Sequence, residues 1–235
     1  MKDVFIYLLC FRFYSIYSIV LFDEIVEAID RLAYIKNTNR SQLINDMLAE
    51  KIGLLTPQQK VTNIMNKISQ LVETDSIQVK SKNDYGSLQF GTFIKYKYKP
   101  SIRYRFEFYV GNNEERYAVL KINSRSKSED LNEHLERFFN GICYIDKNRF
   151  PEIYQREIIN KAYTNSNNRF IREFLRGIPL EKMDDDSIAE YLSCYLLMID
   201  NSLNYYFNHY NQEDVFNKID KIYCQYLNNL NLFLK

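Results

Sequence analysis

Five cations recur at alternate positions in one short stretch of the chain: Lys95, Lys97 and Lys99, then Arg103 and Arg105. In an extended backbone successive side chains point to opposite faces, so each set shares a face and Tyr96, Tyr98, Tyr104, Phe106 and Phe108 point the other way. If these strands pair, the five charges line one sheet surface, which suits a row of phosphates. The same pattern also describes a solvated face whose Lys and Arg stems cover aromatic rings and protect a sheet edge. Other reactive residues are sparse. His134 and His209 are isolated, and Cys10, Cys143, Cys194 and Cys224 form no CxxC pair. Neither zinc-ligand spacing nor a disulfide framework follows, and reduced thiols are expected. GxGxxG, GxxxxGKS/T, GxSxG and HExxH are all missing from the sequence, so no catalytic residue, metal or cofactor is assigned. Asp184-Asp185-Asp186 reads as a helix entry ahead of a Ser187–Glu190 capping box rather than a cation site. Glu129, Glu133 and Glu136 share a helix with His134 but find no partners in the sequence. Asn167, Asn168, Arg169, Arg172 and Arg176 read as the solvated edge of a helix.

The elements that position these residues fall into three stretches. Over 235 residues the net charge is only +1, with 46% apolar and 15% aromatic residues, so wholesale disorder is excluded and one or two domains are expected. The balance is local. Residues 78–127 hold eleven Lys or Arg against four Asp or Glu, a net +7, whereas residues 1–55 are near neutral and 128–235 are acidic. Domain boundaries follow at 1–55, 56–87 and 88–235, the middle stretch being a connector helix and a polar linker over 74–87.

Periodicity assigns the elements. Residues 4–22 carry a single charge, Arg12, over about the length of a membrane span. A mid-span charge costs roughly 2.5–3.5 kcal/mol, and the aromatic, β-branched composition favours a strand, so no membrane partner and a cytoplasmic location are expected, with residues 4–22 as a membrane segment the minor alternative. Asp23 and Glu24 open a helix with Ile25, Ala28, Ile29 and Leu32 on one face; Ser41 is the candidate cap of a second helix ending at Gly53. Thr56-Pro57 starts a third, over about 57–73. Three antiparallel strands are expected at 94–99, 103–110 and 116–122. Helices then follow from Ser128, at 152–163, 167–176, 187–208 and 212–234.

The run SIVLFDEIVEAIDRLAYIKNTNRSQLINDMLAEKIG, residues 18–53 with the preceding 15–17, resembles the ribbon-helix-helix family of DNA-binding dimers. A short strand leads into an amphipathic helix, Asn39-Arg40-Ser41 opens the next, and Leu43-Ile44 fall where that family builds its core. The resemblance covers about 40 residues. It implies an intertwined homodimer through residues 15–53, because a segment this short cannot bury a core alone. It also implies a two-stranded ribbon in the DNA major groove, read by Ile16, Ser18 and Val20, with Asn39, Arg40 and Ser41 at a backbone phosphate. Of the groove-facing residues only Ser18 can hydrogen-bond a base edge; Ile16 and Val20 offer contact to thymine methyls.

The expected fold is therefore α+β: an N-terminal ribbon-helix-helix module, a connector helix, then a small antiparallel sheet with a mainly helical C-terminal half. The expected function is a homodimeric DNA-binding transcription regulator of the kind carried by mobile elements, with a C-terminal sensing or interaction domain. Two alternatives stand beside it. One is an interaction protein that uses the module only to dimerise; the other is an effector enzyme with its site in 88–235.

Overall fold

The computed structural model describes residues 18–83, 86–97, 99–109, 116–149, 163–166, 169–175 and 184–230. Among them are six helices and one six-stranded antiparallel sheet, and they divide between Pro57 and Gln58 into two compact units.

The first unit is a helix pair, α1 (Asp23–Ile35) and α2 (Arg40–Lys51). Acidic Asp23 and Glu24 occupy the first turn of α1, where the helix dipole favours them. The connection turns through Asn37 at φ 50, a left-handed conformation that Asn tolerates. The α2 cap is Asn39, not Ser41: its side chain accepts from Gln42 N at 2.8 Å. Past the end of α2, Gly53 takes φ 72, as a helix-terminating glycine does. Ile29, Ala33 and Leu43 form the small buried core, with Leu21 and Ile44 packed against it.

The second unit opens with α3 (Pro57–Val72). Val61, Ile64, Met65, Ile68 and Val72 are all buried, so this helix is part of the sheet's core rather than a free-standing connector. The polar stretch expected as a linker holds an edge strand, β1 (Gln78–Asn83), preceded by the buried Ile77. Then come β2 (Ser87–Phe93), β3 (Ser101–Phe108), β4 (Arg116–Ser124), α4 (Glu129–Arg149), β5 (Tyr163–Ser166), β6 (Arg169–Leu175), α5 (Asp185–His209) and α6 (Val215–Leu230). Strand order is β1-β2-β3-β4-β6-β5. The sheet has six strands rather than three because β1 and, from the C-terminal half, β5 and β6 join it.

Residues 94–99 are not a strand; they make the connection between β2 and β3, with Ile94 N bonded to Pro100 O and Lys99 at φ 45. Pairing places the strand earlier, with Leu88 opposite Phe106 and Phe90 opposite Tyr104. The stretch expected as a helix at 167–176 is β6, whose Phe170, Arg172 and Phe174 alternate inward. An inward arginine hid the two-residue period. The helix expected at 152–163 lies outside the described residues except for Tyr163, which begins β5. The cap of α5 is Asp184, accepting from Ser187 N at 2.7 Å, one turn ahead of the expected box.

One hydrophobic core joins α3, α4, α5 and α6 to a single face of the sheet: Leu88 and Phe90, then Tyr104 and Phe106, Leu120 and Ile122, and Phe170. Phe139 of α4 stacks on Phe170 with ring centroids 4.7 Å apart. Where α4 meets α6 the approach is closest at Gly141: an added Cβ there would lie 2.0 Å from Cε1 of Phe216. Alanine favours helix over glycine by about 1 kcal/mol, but overpacking costs about 1–3 kcal/mol. Gly141→Ala should therefore lower the melting temperature by a few degrees in a scanning thermal melt; a rise would show that the helices pack less closely than this.

Candidate nucleic-acid interface

In the N-terminal unit, Ser18, Ile19 and Val20 precede α1 without forming a strand in the single chain, and Ile16 lies outside the described residues. Val20 is 99% exposed, and Ile19 is exposed too. Asn39 is occupied by its cap bond. Arg40 donates to both oxygens of Asp30, at 2.7 Å from Nε and 2.5 Å from Nη2, which pins the start of α2 to α1 and holds the guanidinium pKa above its ordinary value. Ser41 is exposed in the first turn of α2. The structure thus brings Asn39, Arg40 and Ser41 together at a helix start, but with the arginine already engaged.

The five cations of the alternating stretch divide. Lys95, Lys97 and Lys99 sit in the β2–β3 connection and share no strand face. Tyr96, between them, anchors that connection. Its hydroxyl donates to Asp130 at the start of α4, and its ring packs edge-on against His134 and Phe207. Lys97 Nζ lies 3.5 Å from the same carboxylate. The Tyr96 bond pulls Asp130 below the ordinary 3.8, with Lys97 adding to it, and raises the Tyr96 hydroxyl to about 12. The signs give two pH limits. The depressed carboxyl stabilises the anchor above its unfolded value and that contribution is lost as pH falls through the folded value; the raised phenol contributes below about 10 and is lost as pH rises through about 12. Asp130→Asn should return the Tyr96 titration toward 10, read as phenolate absorbance, and Tyr96→Phe should bring Asp130 up toward 3.8 by carbonyl NMR.

Arg103 and Arg105 do share the face of the sheet opposite the core, and registration adds residues that the alternating stretch alone does not identify. One row runs Gly91, Arg103, Asn123, Arg169 across β2, β3, β4 and β6. The next runs Gln89, Arg105, Lys121, Ile171, and a third runs Ser87, Glu107, Val119, Glu173. Lys80 reaches over Gly91, since a Cβ there would meet its Cε at 2.9 Å. Glu107 takes an ion pair from Lys121 and, at 3.6 Å, from Arg105; with its amide oxygen turned toward Arg105, Gln89 accepts from Nε at 2.7 Å. Arg103 and Arg169 pair with no acid among the described residues. Lys121 could have been found by extending the alternation to 116–122. Lys80 and Arg169 could not, because one lay in an expected linker and the other in an expected helix.

No catalytic constellation is brought together elsewhere among the described residues. The buried polar residues serve the core: Tyr104 donates to Asp200 at 2.6 Å and Tyr195 to Asp146 at 3.1 Å. Burial pushes the Asp200 carboxyl up, and the Tyr104 and Asn204 bonds oppose it. Arg172, 2% exposed, lies over the rings of Phe174 and Tyr195. Burial pushes the Cys143 thiol to about 12 and Cys194 to about 11, which makes both poor nucleophiles. His134 Nδ1 lies 3.2 Å from the Tyr206 hydroxyl within the aromatic packing around Tyr96. Among the described residues, no three His, Cys, Asp or Glu side chains are grouped to hold a metal ion, and no helix is long and apolar enough to cross a membrane. No family model, no curated protein and no solved structure matches this chain.

Proposed function

We propose that the chain is a homodimeric DNA-binding regulator whose N-terminal unit pairs with a second copy and contacts duplex DNA. The observation that carries this reading is the apolar surface the helix pair leaves open. Among the described residues of that unit the buried hydrophobic side chains are Ile29, Ala33 and Leu43, while Ile25, Leu32, Ile35, Met47 and Leu48 remain exposed. An unpartnered helix pair with that much apolar surface is the half-core of an intertwined dimer. A second chain would supply the partner strand that residues 18–21 lack, and Ser18 and Val20 would then lie on the outward ribbon face.

A second reading, dimerisation without DNA contact, draws on the Arg40–Asp30 pair, because an engaged guanidinium has less to offer a phosphate. One substitution separates the two. Asp30→Asn releases Arg40 without touching the apolar faces. If Arg40 clamps a phosphate, affinity for the chain's own promoter duplex should rise severalfold in fluorescence anisotropy, and Arg40→Ala should lower it and flatten the salt slope by about one unit. Equal affinity in both variants and the parent, with the dimer intact, would leave the module a dimerisation device.

A further inference from the structure

We propose that the open face of the sheet in the second unit is a binding platform for single-stranded nucleic acid. This goes beyond the duplex contact assigned to the N-terminal unit and uses none of its residues. The four described helices of the second unit all contribute to the core on one sheet face; on the other face Arg105 and Arg169 are exposed, Val119 in the third row is buried, and the charge is graded. The first two rows of that face hold Arg103, Arg105, Lys121 and Arg169, with Lys80 reaching over Gly91; its two acids, Glu107 and Glu173, both lie in the third row. Glu107 partly neutralises Arg105 and Lys121, and Lys80 donates to the Gln78 amide, which leaves Arg103 and Arg169 as the arginines of this face without an acidic partner among the described residues. They flank Asn123, whose amide can donate to or accept from a base edge.

Phe93 ends β2 on this same face, two residues beyond Gly91, and is 64% exposed. A phenyl ring held out on a sheet next to cations has no partner in the core. It suits a base stacked flat upon it, while the cations track the backbone. Width decides between single strand and duplex. From β1 to β6 the face spans four inter-strand gaps, about 19 Å at the usual spacing. A major groove is about 12 Å wide and admits a two-stranded ribbon, not this sheet. In a duplex the bases are also stacked on one another and unavailable to Phe93. The recognised chemistry is therefore a phosphodiester chain with splayed bases.

The test uses the full chain with a fluorescein-labelled twenty-nucleotide oligo-dT, a duplex of equal length, polyglutamate, and phosphatidylserine vesicles. The parent should bind oligo-dT. Arg103→Gln/Arg169→Gln should weaken that binding at least tenfold at 0.1 M salt and reduce the slope of log K against log salt by about 1.4, or about 0.7 for each lost contact. Phe93→Ala should weaken it about tenfold with the slope unchanged, as the loss of one stacked base does. Lys218→Gln/Lys221→Gln on α6 should bind as the parent does. Arg40→Ala should leave oligo-dT binding intact whatever it does to duplex binding, so failure of this inference and failure of the N-terminal reading are distinguishable. The proposal is overturned if the parent does not bind oligo-dT, if the sheet variants bind it as the parent does, or if only vesicles or polyglutamate depend on Arg103 and Arg169.

Discussion

Ile25→Asp/Leu32→Asp should convert the proposed dimer into a monomer of 28.3 kDa in sedimentation at micromolar concentration. Ile25 and Leu32 are seven residues apart on one face of α1, 44% and 40% exposed, and neither belongs to the buried core of the helix pair. Fully burying a side chain of this size contributes about 1.5–3 kcal/mol, and about two fifths of each is still open, which leaves about 0.6–1.3 kcal/mol per position. Two positions in each of two copies therefore supply roughly 2.5–5 kcal/mol, a substantial share of a nanomolar association at about 12 kcal/mol. Burying four carboxylates in their place adds a further cost. The sheet unit contains neither residue, so its far-ultraviolet circular dichroism and melting transition should persist. A parent chain that sediments as a monomer at the same concentration would refute the paired half-core and, with it, the ribbon-helix-helix resemblance.

The second large effect is expected in the core. Arg172→Met should destabilise the sheet unit by about 3–5 kcal/mol, the range for stripping a counter-charge from a buried ionised group. Arg172 is an inward residue of β6, and Asp146 of α4 is fully buried; Tyr195 contacts both, its ring beneath the guanidinium and its hydroxyl on the carboxylate. Each charge opposes the other's influence on the Cys143 thiol, with Asp146 raising its pKa and Arg172 lowering it. Methionine keeps much of the length and apolar stem but none of the charge. Denaturant unfolding of Arg172→Met, Asp146→Leu and the double variant closes a thermodynamic cycle. If the groups form one electrostatic unit, the double variant should be clearly more stable than the sum of the single losses implies. Strict additivity would mean that each is held by its own neighbours.

The same residue shows why part of the chain was hard to read. Arg172 sits in RFIREFL, where Phe170 and Phe174 face inward four apart and an arginine separates them. Phenylalanines four apart fit a helix as well as a strand when the residue between them is charged, and burial of the charge is visible only once Asp146 and Tyr195 are in place. The KYKYK stretch failed in the opposite direction. Its alternation is genuine, but it records one anchored tyrosine, Tyr96, in a connection held to α4, rather than a strand with one wet face. Alternation reports one-sided burial, which is necessary for a strand at a sheet surface and insufficient to prove one.

At the candidate interface the boundary between legible and hidden follows the range of the interactions. Helix starts and stops are local: acids in the first turn of α1, Pro57 at the head of α3 and Gly53 past α2 each act within one turn of backbone, and the chain alone determined those helices and the α+β class. It also determined that the middle of the protein is basic, since net charge needs no geometry. Which cations share a surface is not a local property. Arg103 and Arg169 flank Asn123 only because β3 and β6 both pair with β4, the latter across some forty residues of sequence, and Lys80 covers Gly91 only because β1 pairs with β2 around a bulge. Strand registration is a collective outcome of burying Tyr104, Ile122 and Phe170 against one set of helices, and a shift of one residue would turn every cation on the open face inward. The sequence therefore settled the local starts and stops of the helices and the sign of the charge, and only tertiary packing decided where the strands run and which side chains meet on the sheet.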